Sequence, residues 1–177
     1  MKKIVIVFAV LSLILMVGCS SSGGSGNDVD MNQVMENVIA RISEDLKEAG
    51  YTDADFEAEV LPGYFVIDLK DEELDFNPYD GLIDLDKVEG GFTIQAAMML
   101  NADRIIVFKV SDSDYLEELK GILEEEKQGQ YDMWEQYLPD QFEKVKETIF
   151  EVEGDLIYYI TYQDAEDIES VILDSLK

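Results

Sequence analysis

The chain has 177 residues, with 40 Asp and Glu against 13 Lys and Arg, no His and one Cys, giving a net charge of −27. Without imidazole there is no Ser-His-Asp triad, no Cys-His pair and no His-ligated metal, and a lone thiol excludes an internal disulfide or a Cys-rich zinc site. The acidic excess argues against a nucleic-acid partner, because phosphate contacts require clustered Lys and Arg.

Lys2 and Lys3 precede an apolar run, Ile4 to Val17, broken only by Ser12. As a helix this run would be about 21 Å long, short of the roughly 30 Å hydrocarbon core, so it reads as a secretory signal and not a stable span. It closes on Leu15-Met16-Val17-Gly18-Cys19, which resembles the lipobox of bacterial lipoproteins, with Met16 where that motif most often has Leu. The resemblance implies a signal peptide over residues 1–18 and a Cys19 that carries the lipid (palmitate or a similar acyl chain). The protein would then be lipid-anchored to the extracytoplasmic face of the cell membrane. The alternative is a plain secreted protein with a stray Cys. Residues 19–28 form the lipidated Cys and a flexible Gly/Ser tether, with an r.m.s. reach of about 15–18 Å. An acidic domain is repelled by an anionic leaflet, so the membrane is an anchor and not a substrate.

A single domain is expected over residues 29–177. Met31, Val34, Met35, Val38, Ile39, Ile42 and Leu46 recur at three- and four-residue steps and predict an amphipathic helix stopped at Gly50. Tyr64 to Leu69 could form a short strand, and Asp71 to Tyr79 a helical turn. Gly91 to Leu100 and Arg104 to Val110 predict a hairpin closed by Asn101-Ala102-Asp103, with Phe92, Ile94, Ala96, Met98 and Leu100 on one face. Ser111 and Asp112 offer caps for a helix carrying Tyr115, Leu116, Leu119, Ile122 and Leu123 and continuing past Trp134. Pro139 opens another helix through Ile149. Thr148 to Val152 and Leu156 to Tyr162 predict a second hairpin about Gly154. Asp164 then caps a last helix that buries Ile168, Val171, Ile172 and Leu176. The order helix-strand-strand-helix(-helix)-strand-strand-helix predicts an α+β two-layer sandwich. Its mostly antiparallel sheet has about four strands, with helices on one face.

Carboxylates are the only abundant catalytic candidates, and no pair stands out, because almost every segment contains one. Frames starting at Asp53, Asp84 and Asp112 fail the EF-hand pattern at its glycine or later acids, which leaves Asp80, Asp84 and Asp86 as weak cation ligands or, more simply, turn residues. Glu89-Gly90-Gly91-Phe92 lacks the spacing and the Lys-Ser/Thr pair of a phosphate loop. No catalytic residue, metal site or cofactor is therefore expected. Tyr131, Trp134 and Leu138 share a helical stripe with Tyr137 beside it. Packing on the sheet is its expected role, and an aromatic ligand groove formed by Tyr131, Trp134 and Tyr137 is the alternative.

From Asn101 onward the chain resembles a family of lipoproteins from Gram-positive, Clostridia-like bacteria, catalogued as domain of unknown function 4358. The residues that carry the resemblance are the lipobox at Cys19, Ala102-Asp103-Arg104-Ile105-Ile106, the acidic helix after Asp112, Tyr137-Leu138-Pro139, and Gly154 leading into Ile157-Tyr158-Tyr159. The resemblance implies an extracytoplasmic lipoprotein and carries over no activity or catalytic residue.

The expected function is a non-catalytic, lipid-anchored binding module that meets an envelope protein or glycan as a monomer. A carboxylate-dependent hydrolase of cell-wall glycans is the alternative. The charge balance also makes a thermodynamic prediction. Acids repel one another in a compact chain, and salt screens them beyond a Debye length of about 10 Å at 0.1 M. The melting temperature should therefore rise with added salt, and a melting temperature independent of salt contradicts this.

Overall fold

The computed structural model describes residues 29–71, 74 and 77–177. The expected signal peptide over 1–18, the lipidation site Cys19 and the tether over 19–28 lie outside the described residues, as does part of the Asp71 to Tyr79 turn. Helix α1 (Met31–Glu48) starts where the Asp30 carboxylate accepts the Asn32 N–H at 3.0 Å. It ends in two reverse hydrogen bonds, Gly50 N–H to Lys47 and Tyr51 N–H to Leu46, closed by a positive φ at Gly50. A short helix, α2 (Asp53–Ala58), follows. Strand β1 (Tyr64–Asp68) is joined through a 3-10 turn (Leu85–Lys87) to the hairpin of β2 (Val88–Ala96) and β3 (Arg104–Val110). Helices α3 (Ser113–Glu135) and α4 (Pro139–Lys146) lead to the hairpin of β4 (Ile149–Glu153) and β5 (Leu156–Thr161), and α5 (Ala165–Asp174) closes the chain.

The strands form one antiparallel sheet in the order β1-β2-β3-β5-β4. The α+β class and the antiparallel hairpins agree with the sequence, and the sheet has five strands instead of about four. The fifth strand is β1, which lies within the Tyr64 to Leu69 run read as a possible strand. As an edge strand it is half-buried apart from the exposed Phe65, which weakens its apolar alternation. The helices cover both faces of the sheet, not one. Strand parity explains why. Phe92, Ile94, Ile105, Val107, Tyr158 and Ile160 point to one side, where Val34, Val38 and Ile42 of α1 and Ile168 and Ile172 of α5 pack on them. Ile106, Phe108, Ile157 and Tyr159 point to the other, against Tyr115, Leu119 and Leu123 of α3. The central strands are apolar on both sides because both sides are covered.

Other boundaries shift. Helix α4 ends at Lys146, and Ile149 belongs to β4. Strand β2 stops at Ala96, so Met98 and Leu100 leave the core face on which alternation placed them. They sit exposed in the 97–103 connection. The Glu89-Gly90-Gly91-Phe92 segment is a β-bulge with a register shift between Val88 and Gly90. There the backbone approaches its neighbours closely. A Cβ at Gly91 would lie 2.7 Å from the Val107 carbonyl oxygen, whereas one at Gly90 would lie 2.8 Å from the Met31 side chain.

A methionine side chain can swing away and a paired strand cannot. Gly91→Ala should therefore cost about 1–3 kcal/mol in urea unfolding, with Gly90→Ala costing clearly less. Equal costs at the two positions would contradict the close approach.

Candidate functional site

Helix α3 is longer than the part of the sheet it covers. Its inward stripe is apolar at Tyr115, Leu119 and Leu123, turns polar at Glu126 and Gln130, and ends at Trp134. Beyond Leu123 the helix meets the sheet through charged side chains, Glu126 with Arg104 of β3 and Lys127 over the Phe150 ring of β4. A cavity of about 760 Å³ opens between its last two turns, the end of β2, Phe65 on β1 and the 97–103 connection. Met98, Met99, Met133, Tyr137 and Phe65 form its rim, and all five are exposed, Met99 by 84%. Contiguous exposed apolar side chains of this size mark a binding surface in soluble proteins.

The loop wall of this groove is fixed by a buried carboxylate. Asp103 is 7% exposed. Its Oδ1 accepts from Lys144 Nζ of α4 at 2.5 Å, and its Oδ2 accepts from the Tyr64 hydroxyl of β1 at 2.6 Å and from the Asn101 amide at 2.8 Å. Lys144 also donates to Asn101 Oδ1 at 3.0 Å, and the Ala102 N–H donates to Gln141 Oε1 of α4 at 2.9 Å. Burial, then the neighbouring Asp103 charge, pushes the Tyr64 phenol well above its ordinary value. Burial and the Asp45 carboxylate do the same to Tyr162, which donates to Asp45 at 2.9 Å.

The groove floor is a second relay. Arg104 pairs with Glu126, Glu126 accepts from Gln130 at 3.1 Å, and Gln130 accepts from the Trp134 indole N–H at 3.1 Å. Gln95 and Gln136 also line the groove, and their side-chain amides make no hydrogen bond among the described residues.

The aromatic stripe read from the sequence divides. Trp134 is 3% exposed and packs with Ala102, Val145, Leu138 and Phe142, which places it against α4 and the loop instead of on the sheet. Tyr137 tilts against it at 5.6 Å and edges the groove. Tyr131 meets the Phe142 ring edge-on at 4.8 Å and is not part of the groove lining. The groove residues that sequence reasoning missed are Phe65, Met98, Met99 and Met133. Their signal was the Met98-Met99-Leu100 run next to a polar turn, together with the polar break at Glu126 and Gln130 in the α3 stripe.

A second cavity, of about 480 Å³, is lined by Glu147, Asp164, Glu166 and Asp167. Asp167 pairs with Arg41 at 2.9 Å, and Asp164 and Glu166 lie at the start of α5, where they offset the helix dipole. Asp84 accepts the Asp86 N–H at 3.2 Å, a capping role. Among the described residues no three carboxylates converge as a metal site, and no helix is long and apolar enough to cross a membrane.

Residues 71–162, more than half of the chain, match the family Domain of unknown function (DUF4358), and the chain belongs to it. The match starts upstream of Asn101, where the sequence resemblance began, and stops at Tyr162, so it spans β2 to β5 and leaves α1, β1 and α5 outside. No curated protein and no solved structure matches the chain.

The carboxylate clamps on Lys144, Tyr64 and Tyr162 can be tested by substitution and by pH. Lys144→Met leaves a buried carboxylate short of its cation and should cost about 3 kcal/mol. Combined with Asp103→Asn it should cost less than the two single changes together, by roughly 1–3 kcal/mol, in urea unfolding. Strict additivity would contradict the pairing. At alkaline pH, Tyr64 and Tyr162 bind their protons more tightly folded than unfolded. Their contribution is complete below about pH 10 and declines as pH rises toward the folded values, by about 1.4 kcal/mol per pH unit for each. The phenolate absorbance of Tyr64 and Tyr162, taken as the difference from the Tyr64→Phe and Tyr162→Phe variants, should therefore appear together with unfolding. Ionisation of both tyrosines near pH 10 in an intact fold would contradict their burial.

Proposed function

We propose that this member of the DUF4358 family is an extracytoplasmic lipoprotein, held to the cell membrane through Cys19, that acts as a non-catalytic binding module. The groove rimmed by Phe65, Met98, Met99, Met133 and Tyr137 is its binding element, and this rim is the observation that carries the reading. Methionines are flexible and polarisable and adapt to a partner surface, while aromatic rings add rigid contact area. Glycoside hydrolysis needs two carboxylic groups facing the scissile bond. The groove lining holds a single acid, Asp103, whose oxygens are committed to Lys144, Tyr64 and Asn101. That commitment supports binding over catalysis. An apolar rim also favours an envelope protein over a glycan, whose hydroxyls ask for many polar partners.

The anchor rests on the Lys2-Lys3 start, the short apolar run and the lipobox-like residues before Cys19. The first buried residue among the described ones, Met31, lies beyond the Gly/Ser tether, so lipid and fold should be energetically independent. Cys19→Ser should release the protein from the membrane, abolish metabolic fatty-acid labelling and leave the melting temperature unchanged. A mutant that stays in the membrane fraction without label would contradict lipid anchoring and point to an uncleaved apolar segment instead.

A further inference from the structure

We infer that the groove takes a cationic polypeptide segment, with apolar side chains seated among the methionines and Lys or Arg side chains held by the negative field of the chain. The inference rests on the groove being the binding element and adds the chemistry of what enters it. Three observations select this occupant. First, the chain carries a net charge of −27, so the molecule presents a negative field. Arg104, which lines the groove, and Lys144, which holds its Asp103, are already engaged by Glu126 and Asp103. A positive ligand therefore gains from this field, and a negative one is repelled by it.

Second, Gln95 and Gln136 offer unpartnered amides in a lining whose other polar side chains, Asn101, Asp103, Arg104 and Gln130, are already hydrogen-bonded. Each amide supplies a donor and an acceptor, the complement of a peptide group, and an acyl chain would leave both unsatisfied. A lipid also arrives with an anionic leaflet that the −27 chain repels. Third, a second copy of the chain would bring two such charges together across one apolar patch, which costs more than the patch returns unless cations intervene. A basic, apolar-anchored segment satisfies the methionines, the amides and the field together. The same division of labour, adaptable apolar contacts for affinity and acids for steering and partner choice, operates wherever methionine-rich surfaces meet amphipathic peptides.

The test uses the full chain in zwitterionic nanodiscs, with empty discs as the blank, and three fluorescein-labelled peptides of equal length built from leucine and lysine, serine and lysine, or leucine and glutamine. At physiological salt the leucine–lysine peptide should bind saturably with one site, and the other two about tenfold more weakly or worse, a loss of about 1.4 kcal/mol or more. Met98→Gln combined with Met133→Gln, both on exposed side chains, should weaken the leucine–lysine peptide about fivefold or more. Raising the salt from about 0.05 M to about 0.5 M should weaken it about threefold or more and leave the leucine–glutamine peptide unchanged, whereas a salt-independent affinity would overturn the cationic occupant.

Equal binding of the leucine–lysine and leucine–glutamine peptides, lost in the methionine pair, would overturn the cationic occupant while leaving the groove as the binding element. Equal binding of the leucine–lysine and serine–lysine peptides, or no effect of the methionine pair, would overturn the groove itself. Sedimentation of a dimer that Met133→Gln dissolves would assign the surface to a second copy and overturn the inference, as would groove-dependent capture of protein-free vesicles.

Discussion

One buried carboxylate organises the functional end of this molecule. Asp103 closes the connection between β2 and β3, and its donors come from β1, α4 and the connection itself: Tyr64, Lys144 and Asn101. The Tyr64 and Lys144 contacts tie the connection to β1 and to α4. A charge this deeply placed is costly to leave alone and holds its position only with its donors in place, so the clamp has one geometry instead of several. With Asp103 fixed, Ala102 is fixed against Gln141 and Trp134, and the 97–103 connection stands away from the sheet instead of folding over it. The groove is the space this leaves.

The rest of the site follows from a mismatch of lengths. Helix α3 continues for three turns after Leu123, its last fully buried contact with the sheet. An apolar stripe along those turns would have needed a covering element. The chain instead places Glu126 and Gln130 there, bonded to Arg104 and Trp134, and ends the helix against α4. The sheet beside β1 is left open on that face, with Phe65 exposed. Binding surface is thus made by withholding cover, while the strands beneath stay buried and rigid.

Much of this fold was legible in the sequence, for a physical reason. Helices α1 and α5 and strands β3 and β5 bury long runs of regularly spaced apolar residues, so local periodicity and tertiary environment agree. Where they part, the sequence misleads. Met98 and Leu100 continue the two-residue alternation of Phe92 and Ile94, yet the strand stops at Ala96, whose N–H pairs with the Asp103 carbonyl oxygen at 3.0 Å. The partners that hold Asp103, Tyr64 and Lys144, are announced by no local pattern. The stripe of α3 showed a buried face but not which side of the sheet it would meet, and a second covered side was missed for that reason. Trp134 shows the same limit: its spacing implied burial, and only the placement of α4 determines what it packs against.

The most direct test of the groove as the binding element is methyl NMR of the methionines during titration with the leucine–lysine peptide. Met31 and Met35 pack beneath α1 on the opposite side of the sheet, whereas Met98, Met99 and Met133 rim the groove. The account predicts that the methyl resonances of Met98, Met99 and Met133 shift together along one saturable curve while those of Met31 and Met35 stay in place. Small shifts spread evenly over all five methyl groups, or saturation at Met31 and Met35 alone, would contradict it.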